Sequence, residues 1–84
     1  MFKVEITSRA ERELRRLDRQ VKNRLTQAIM ALGDEPRPAG CLRVRSEPGV
    51  WRVRVGDWRV GYRVDDTAQE VTVIRVGHRS EFYE

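Results

Sequence analysis

Two alternating runs, Trp51-Arg52-Val53-Arg54-Val55 and Trp58-Arg59-Val60-Gly61-Tyr62-Arg63-Val64, flank the dipeptide Gly56-Asp57. Period-two alternation of apolar and polar residues marks strands with one buried face. A two-residue loop that opens on glycine suits the primed turns joining antiparallel strands. Such a turn fixes the register. Val55 is expected opposite Trp58, Arg54 opposite Arg59, Arg52 opposite Gly61 and Trp51 opposite Tyr62. Paired residues share a face. Arg52, Arg54, Arg59 and Arg63 should therefore project from one side, and the tryptophans, valines and Tyr62 from the side that a second layer covers.

The flanking segments supply that layer and extend the sheet. Phe2, Val4 and Ile6 alternate with Lys3 and Glu5 and predict a half-buried strand. Ser8 and Glu11 have the spacing of a capping box, opening a helix whose apolar stripe is Ala10, Leu14 and Leu17. Asp18 suits the N-cap of a second helix with Val21, Leu25, Ala28, Ile29 and Leu32 as its stripe. Gly33 fits the C′ position, and Pro36 stops the helix from continuing. Segment 33–41 is turn-rich, and a short strand is expected over Leu42 to Val44. Asp65-Asp66 starts a further turn, and Val71 to Val76 reads as a nearly continuous apolar strand placed inside a sheet. The expected fold class is α+β: an N-terminal strand, a helical hairpin, then an antiparallel β-meander, with the helices on one face of the sheet.

Eighty-four residues fit one domain, here 1–84, with a single thin core. The length leaves no room for a cofactor domain, and no glycine-rich nucleotide loop is present. No cofactor and no metal are expected. Cys41 is the only cysteine, so an internal disulfide is impossible and a small packing role is expected. The start of the chain, MFKVEITSRAERELRR, lacks an apolar signal-peptide stretch, and no run approaches membrane-spanning length. These features point to a cytoplasmic protein with no membrane partner.

The net charge is +4, and of 17 cations only Lys3 and Lys22 are Lys, so the other fifteen are Arg. Arginine offers a planar, permanently charged fork that grips phosphate in bidentate fashion. With a pI of about 10.0, the chain favours anionic partners, nucleic acid before acidic protein. Where the arginines fall is more telling than how many there are. Arg54 directly opposite Arg59 costs on the order of 0.2–1 kcal/mol, and mid-strand Gly61 weakens a strand unless something approaches closely. The nearest acids are Asp57 in the turn and Asp65 at the strand's far end. An anion over Gly61, ringed by Arg52, Arg54 and Arg59, would account for both costs; the plain alternative is a solvated charged face with a bulge at Gly61.

The stretches TSRAERELRRLDRQVKNRL, LGDEPRPAGC, WRVRVGDWRVGYRVDD and VTVIRVGHRSEFY together resemble toxins of the RelE/ParE superfamily over nearly the whole length. GDWRVGYRV and VGHRSEFY are the most specific parts. The resemblance implies a helical hairpin on an antiparallel sheet, a neighbouring cognate antitoxin, and, for RelE-type members, cleavage of mRNA in the ribosomal A site. Operator DNA would then be met only through the antitoxin. Carried over position by position, the RelE-like site falls on Arg52, Arg54, Arg59, Arg79 and Tyr83. Lysine is common in such enzymes where this chain has Arg52 and Arg54.

In that chemistry the RNA's own 2′-OH attacks the adjacent phosphate, so the site needs a base, an acid and donors for extra negative charge. Arginine is a poor base but a strong stabiliser of phosphorane charge. Arg59 and Arg79 are therefore expected to act catalytically, and Arg52, Arg54, Arg63 and Gly61 to hold RNA. Proton transfer is left to His78 or Tyr83. His78 is the only histidine, and imidazole is the side chain best suited to acid–base work at neutral pH, but a straight strand would turn it and Arg79 to opposite faces. The alternatives are a ParE-like, non-enzymatic inhibitor of DNA gyrase and an attenuated toxin serving as its antitoxin's corepressor.

Overall fold

The computed structural model describes residues 1–82. Strand β1 (Lys3–Ile6) leads into helices α1 (Ser8–Arg15) and α2 (Arg19–Ala31). Strands β2 (Leu42–Arg43), β3 (Trp51–Val55), β4 (Trp58–Asp65) and β5 (Glu70–His78) follow, and a 3₁₀ turn over Arg79–Glu81 closes the fold. Among the described residues the strands form one five-stranded sheet in the order β1-β5-β4-β3-β2. The last four strands are the expected antiparallel meander, whereas β1 lies parallel to β5, from Lys3 opposite Glu70 to Ile6 opposite Val73. The sheet is thus mixed.

Both helices pack on one face, α1 against β5 and α2 against β3 and β4. Their buried stripes meet the inward residues of the sheet in one core: Ala10, Leu14, Leu25, Ile29 and Leu32 against Val60, Tyr62, Val71, Val73 and Val76. Tyr62 is fully buried, and its hydroxyl donates to the Pro36 carbonyl at 2.7 Å, pinning segment 33–41 to the sheet. Burial holds its phenol well above the ordinary tyrosine range. Trp51 and Trp58 are half-buried against the same core. The Arg37 and Arg43 guanidinium groups lie 5.3 and 5.0 Å from the Trp51 ring centre, and Arg37 also grips Asp66 in bidentate fashion at 3.1 and 2.8 Å.

Several local expectations are corrected. Thr7, not Ser8, caps α1: its Oγ1 accepts from Ala10 N at 3.2 Å, and Ser8 is already the first helical residue. Asp18 caps α2 as expected, accepting from Val21 N at 3.0 Å. Gly33 follows the cap residue Leu32, but its φ is not left-handed. Glycine is required there for space: a Cβ would lie 3.0 Å from the Phe2 carbonyl oxygen and 3.2 Å from Val4 Cγ2. Phe2 and Val4 turn inward as period two predicts, but Ile6 at the strand end stays exposed. Strand β2 stops at Arg43, and Val44 is buried just beyond it with its N–H on the Val50 carbonyl. Cys41 is half-buried and free.

Candidate functional site

The β3–β4 hairpin has the register that the turn dictates, from Val55 opposite Trp58 out to Trp51 opposite Tyr62. Gly56 carries φ of +62°, and Asp57 does not share the positive sign, the pattern of a II′ turn. Continuing across to β5, two cross-strand rows emerge on the face away from the helices. One is Arg54, Arg59 and Gly77; the other is Arg52, Gly61 and Arg75.

Arg79 joins these rows from the 3₁₀ turn. Its backbone N–H donates to the Asp57 carbonyl at 2.8 Å, and its Nε lies 3.8 Å from the Asp57 carboxylate. The turn of the hairpin and the end of β5 are thereby tied together. The Arg59 guanidinium bends back over the turn and donates to the Gly56 and Trp58 carbonyls at 3.0 and 2.9 Å. Its pKa is lowered by burial first, then by the charges of Arg54, Arg52 and Arg79, with Asp57 opposing. Four guanidinium groups therefore crowd one end of the sheet, where Asp57 is the carboxylate that offsets the charge on Arg59. Such a concentration of like charge is costly to the free protein and favourable to a bound polyanion.

The other residues expected at this site have different settings. Arg52 is buried at 4% exposure, so it feeds charge into the cluster without offering the open arm that alternation alone suggests. Gly61 is not an empty seat for an anion. Its face is filled by the chain itself, since a Cβ there would sit 3.1 Å from Arg75 Cγ and 3.5 Å from the Phe82 ring. Gly77 makes room for the same ring, with a Cβ 3.1 Å from Phe82 Cε1. The Arg75 guanidinium stacks over Phe82 at 4.1 Å from the ring centre and donates to the Glu81 carbonyl at 3.3 Å. Arg75 was not among the residues that alternation and resemblance single out, yet it belongs to this face. Arg63 projects from the same side but donates to the Pro48 carbonyl at 3.1 Å, bracing the loop before β3.

His78 pairs with Trp58 and so lies on the helix side of the sheet, opposite in face to Arg59. Its ring meets Trp58 edge-on at 5.4 Å. Its Nδ1 accepts from Ser80 N at 3.3 Å, while its own backbone N–H donates to Glu81 Oε1 at 3.1 Å, a reciprocal cap on the 3₁₀ turn. His78 builds the turn that presents Arg79. Tyr83 lies outside the described residues. Among the described residues no three His, Cys, Asp or Glu side chains converge as a metal site would require, and no helix is long and apolar enough to cross a membrane.

Known proteins share this sequence pattern and fold. A family model for the ParE toxin of type II toxin–antitoxin systems, parDE, matches residues 4–83. Toxin RelG of Mycobacterium tuberculosis is 32% identical over 83 residues, spanning 98% of this chain and 95% of the relative. Toxin RelE of the same organism is 30% identical, with 98% and 86% covered. Among solved structures, the RelBE2 toxin–antitoxin complex of M. tuberculosis superposes with a TM-score of 0.83 at 30% identity, covering 93% of this chain and 98% of that one. The isolated E. coli RelE toxin gives 0.78 at 25% identity, with 93% and 84% covered. The helical hairpin, the mixed sheet and the sequence match across nearly all of it lead to one conclusion: the chain belongs to the RelE/ParE toxin family of type II toxin–antitoxin systems.

Proposed function

We propose that this toxin is a metal-independent endoribonuclease that cuts mRNA in the ribosomal A site and is held in check by a cognate antitoxin. The observation that carries this reading is the placement of four arginines at one end of the sheet: Arg54 directly opposite Arg59, Arg52 one row along opposite Gly61, and Arg79 tied to the hairpin turn through Asp57. A cluster of permanent cations has no acid–base work to do at neutral pH. What it does well is bind phosphate and stabilise the additional negative charge of a phosphorane.

The mRNA 2′-OH attacks the adjacent phosphorus, and the bond to the 5′-oxygen of the next nucleotide breaks. The products are a 2′,3′-cyclic phosphate and a free 5′-OH. Arg59 and Arg79 flank the reacting phosphate from the turn and the end of β5. Arg54, exposed at the hairpin's edge, holds a neighbouring phosphate, and Arg52 adds its charge from within. Proton transfer is assigned to Tyr83 on the strength of the resemblance, because His78 faces the helices and its Nδ1 is committed to the Ser80 amide. The antitoxin, expected to be an acidic segment that folds on binding, covers at least part of this cluster, and operator DNA is reached only through it.

Primer extension on mRNA in programmed ribosomes tests this. Codon-boundary cuts by the wild type are expected, with Arg59→Ala and Arg79→Ala each reduced on the order of a hundredfold to a thousandfold, as for loss of one oxyanion donor, and Tyr83→Phe strongly impaired. Intact mRNA beside gyrase-dependent DNA breaks would replace this reading with the ParE-like one.

A further inference from the structure

Strand β5 contains one residue too many. Tyr62 pairs with Val73, but the preceding residue Gly61 pairs with Arg75, so Ile74 is bulged out of the ladder. Side chains alternate along a strand, and an extra residue reverses the parity of everything after it. Before the bulge the inward residues are Val71 and Val73; after it, Val76 is inward, and all three are buried. Counting on from Tyr62 opposite Val73 without the bulge would set Arg75 against Val60 in the core. It would also turn His78 to the side of Arg59, and Arg79 to the side of the helices. The bulge is what sorts Arg75 and Arg79 onto the face of Arg54 and Arg59.

A bulge removes backbone groups from the ladder, and they need other partners. Pairing with β1 ends at Ile6 opposite Val73, just before the irregularity. From there the partners come from Thr7, the cap of α1, and from Glu13 in its last turn. Thr7 Oγ1 donates to the Ile74 carbonyl at 3.3 Å, and Thr7 N donates to the Val73 carbonyl at 2.9 Å. Glu13 Oε1 accepts from Val76 N at 2.7 Å. This last bond is short and charge-assisted, and it meets the first residue beyond Arg75. Apart from Glu11 and Glu13, the charged residues of α1 are arginines, and Arg9 Nε, at 3.5 Å from Glu13 Oε2, steadies the carboxylate.

We propose that Glu13 is a positioning residue for the arginine cluster. It fixes the β5 bulge and thereby turns Arg79, together with Arg75, onto the face shared by Arg54 and Arg59. The consequence for activity rests on the proposed ribonuclease function, whereas the consequence for register does not.

Two measurements on the full chain separate these. Cleavage on programmed ribosomes is compared for wild type, Glu13→Ala and Glu13→Gln, and amide exchange with cross-strand NOEs is recorded for each. Gln keeps an oxygen acceptor for Val76 N, so Glu13→Gln is expected to retain Val76 protection, the Trp58–His78 contact and most of the cleavage. Glu13→Ala is expected to remain folded, lose Val76 protection and the Arg59–Gly77 pairing, and fall on the order of tenfold to a hundredfold in cleavage, the scale of a misplaced catalytic group. A folded Glu13→Ala protein with the bulge and its pairing intact would overturn the proposal, as would equal loss in both variants. If the wild type proves not to cut mRNA, the ribonuclease reading falls and the NMR result alone decides the role of Glu13. If Glu13→Ala does not fold, register slippage in Glu13→Gln overturns it and retention supports it.

Discussion

At the scale of single residues, the arginine cluster sets binding against stability. Arg54 and Arg59 face one another directly, and no hydrogen bond offsets the exposed Arg54 among the described residues. Replacing it by Thr, a good strand residue, removes a like-charge pair. Arg54→Thr should therefore raise stability by about 0.2–1 kcal/mol in urea unfolding while weakening RNA binding; a destabilised variant would show that Arg54 has a structural partner. His78 presents the opposite case, a residue whose chemistry suggests catalysis and whose position suggests architecture. Asparagine caps helical turns well. His78→Asn is thus expected to keep the 3₁₀ turn and nearly all the cleavage, whereas loss of activity in a folded His78→Asn protein would return the ring to the mechanism.

At the scale of elements, what could be read from sequence follows how local the determining contacts are. The β3–β4 hairpin is legible because a two-residue turn fixes every pairing in it. The stripe of α2 and its Asp18 cap are legible for the same reason, since partners lie within a few residues. The β5 bulge is not. It depends on Thr7 and Glu13, more than sixty residues away in the chain, and its one trace in the sequence is the spacing Val71, Val73, Val76, two residues and then three. Reading that stretch as a nearly continuous apolar strand hid Arg75 and left the facing of His78 and Arg79 open. The filled face of Gly61 was equally hidden, because Phe82 and Arg75 reach it only after the bulge and the 3₁₀ turn. Gly33 shows how a correct position can have a different cause: it is glycine because β1 passes close to the end of α2, not because the helix needs a left-handed cap. Gly33→Ala must therefore push against the Phe2 carbonyl, which is backbone and cannot swing aside. It should cost about 1–3 kcal/mol, as overpacking does, and melting experiments that found it neutral would return Gly33 to a simple capping role.

At the scale of the whole molecule, the sheet divides the labour. One face is apolar, sealed by two helices, and carries the stability of the domain. The other gathers positive charge at the end where the hairpin turn, the end of β5 and the 3₁₀ turn are tied together through Asp57, Arg59 and Arg79. On the proposed function this site would bind RNA by displacing counterions, so its affinity would depend on salt. If Arg54, Arg59 and Arg79 each engage a phosphate of a single-stranded RNA, log K should fall with log salt at a slope of about −2, taking roughly −0.7 per phosphate. Arg79→Ala should make the slope shallower by about that same increment, and a distant cation on the helices, such as Arg12, should leave it unchanged when replaced by Ala. Equal effects from Arg12 and Arg79 would mean that RNA responds to the net charge of +4 and not to the cluster, and the hairpin face would lose its claim to be the site.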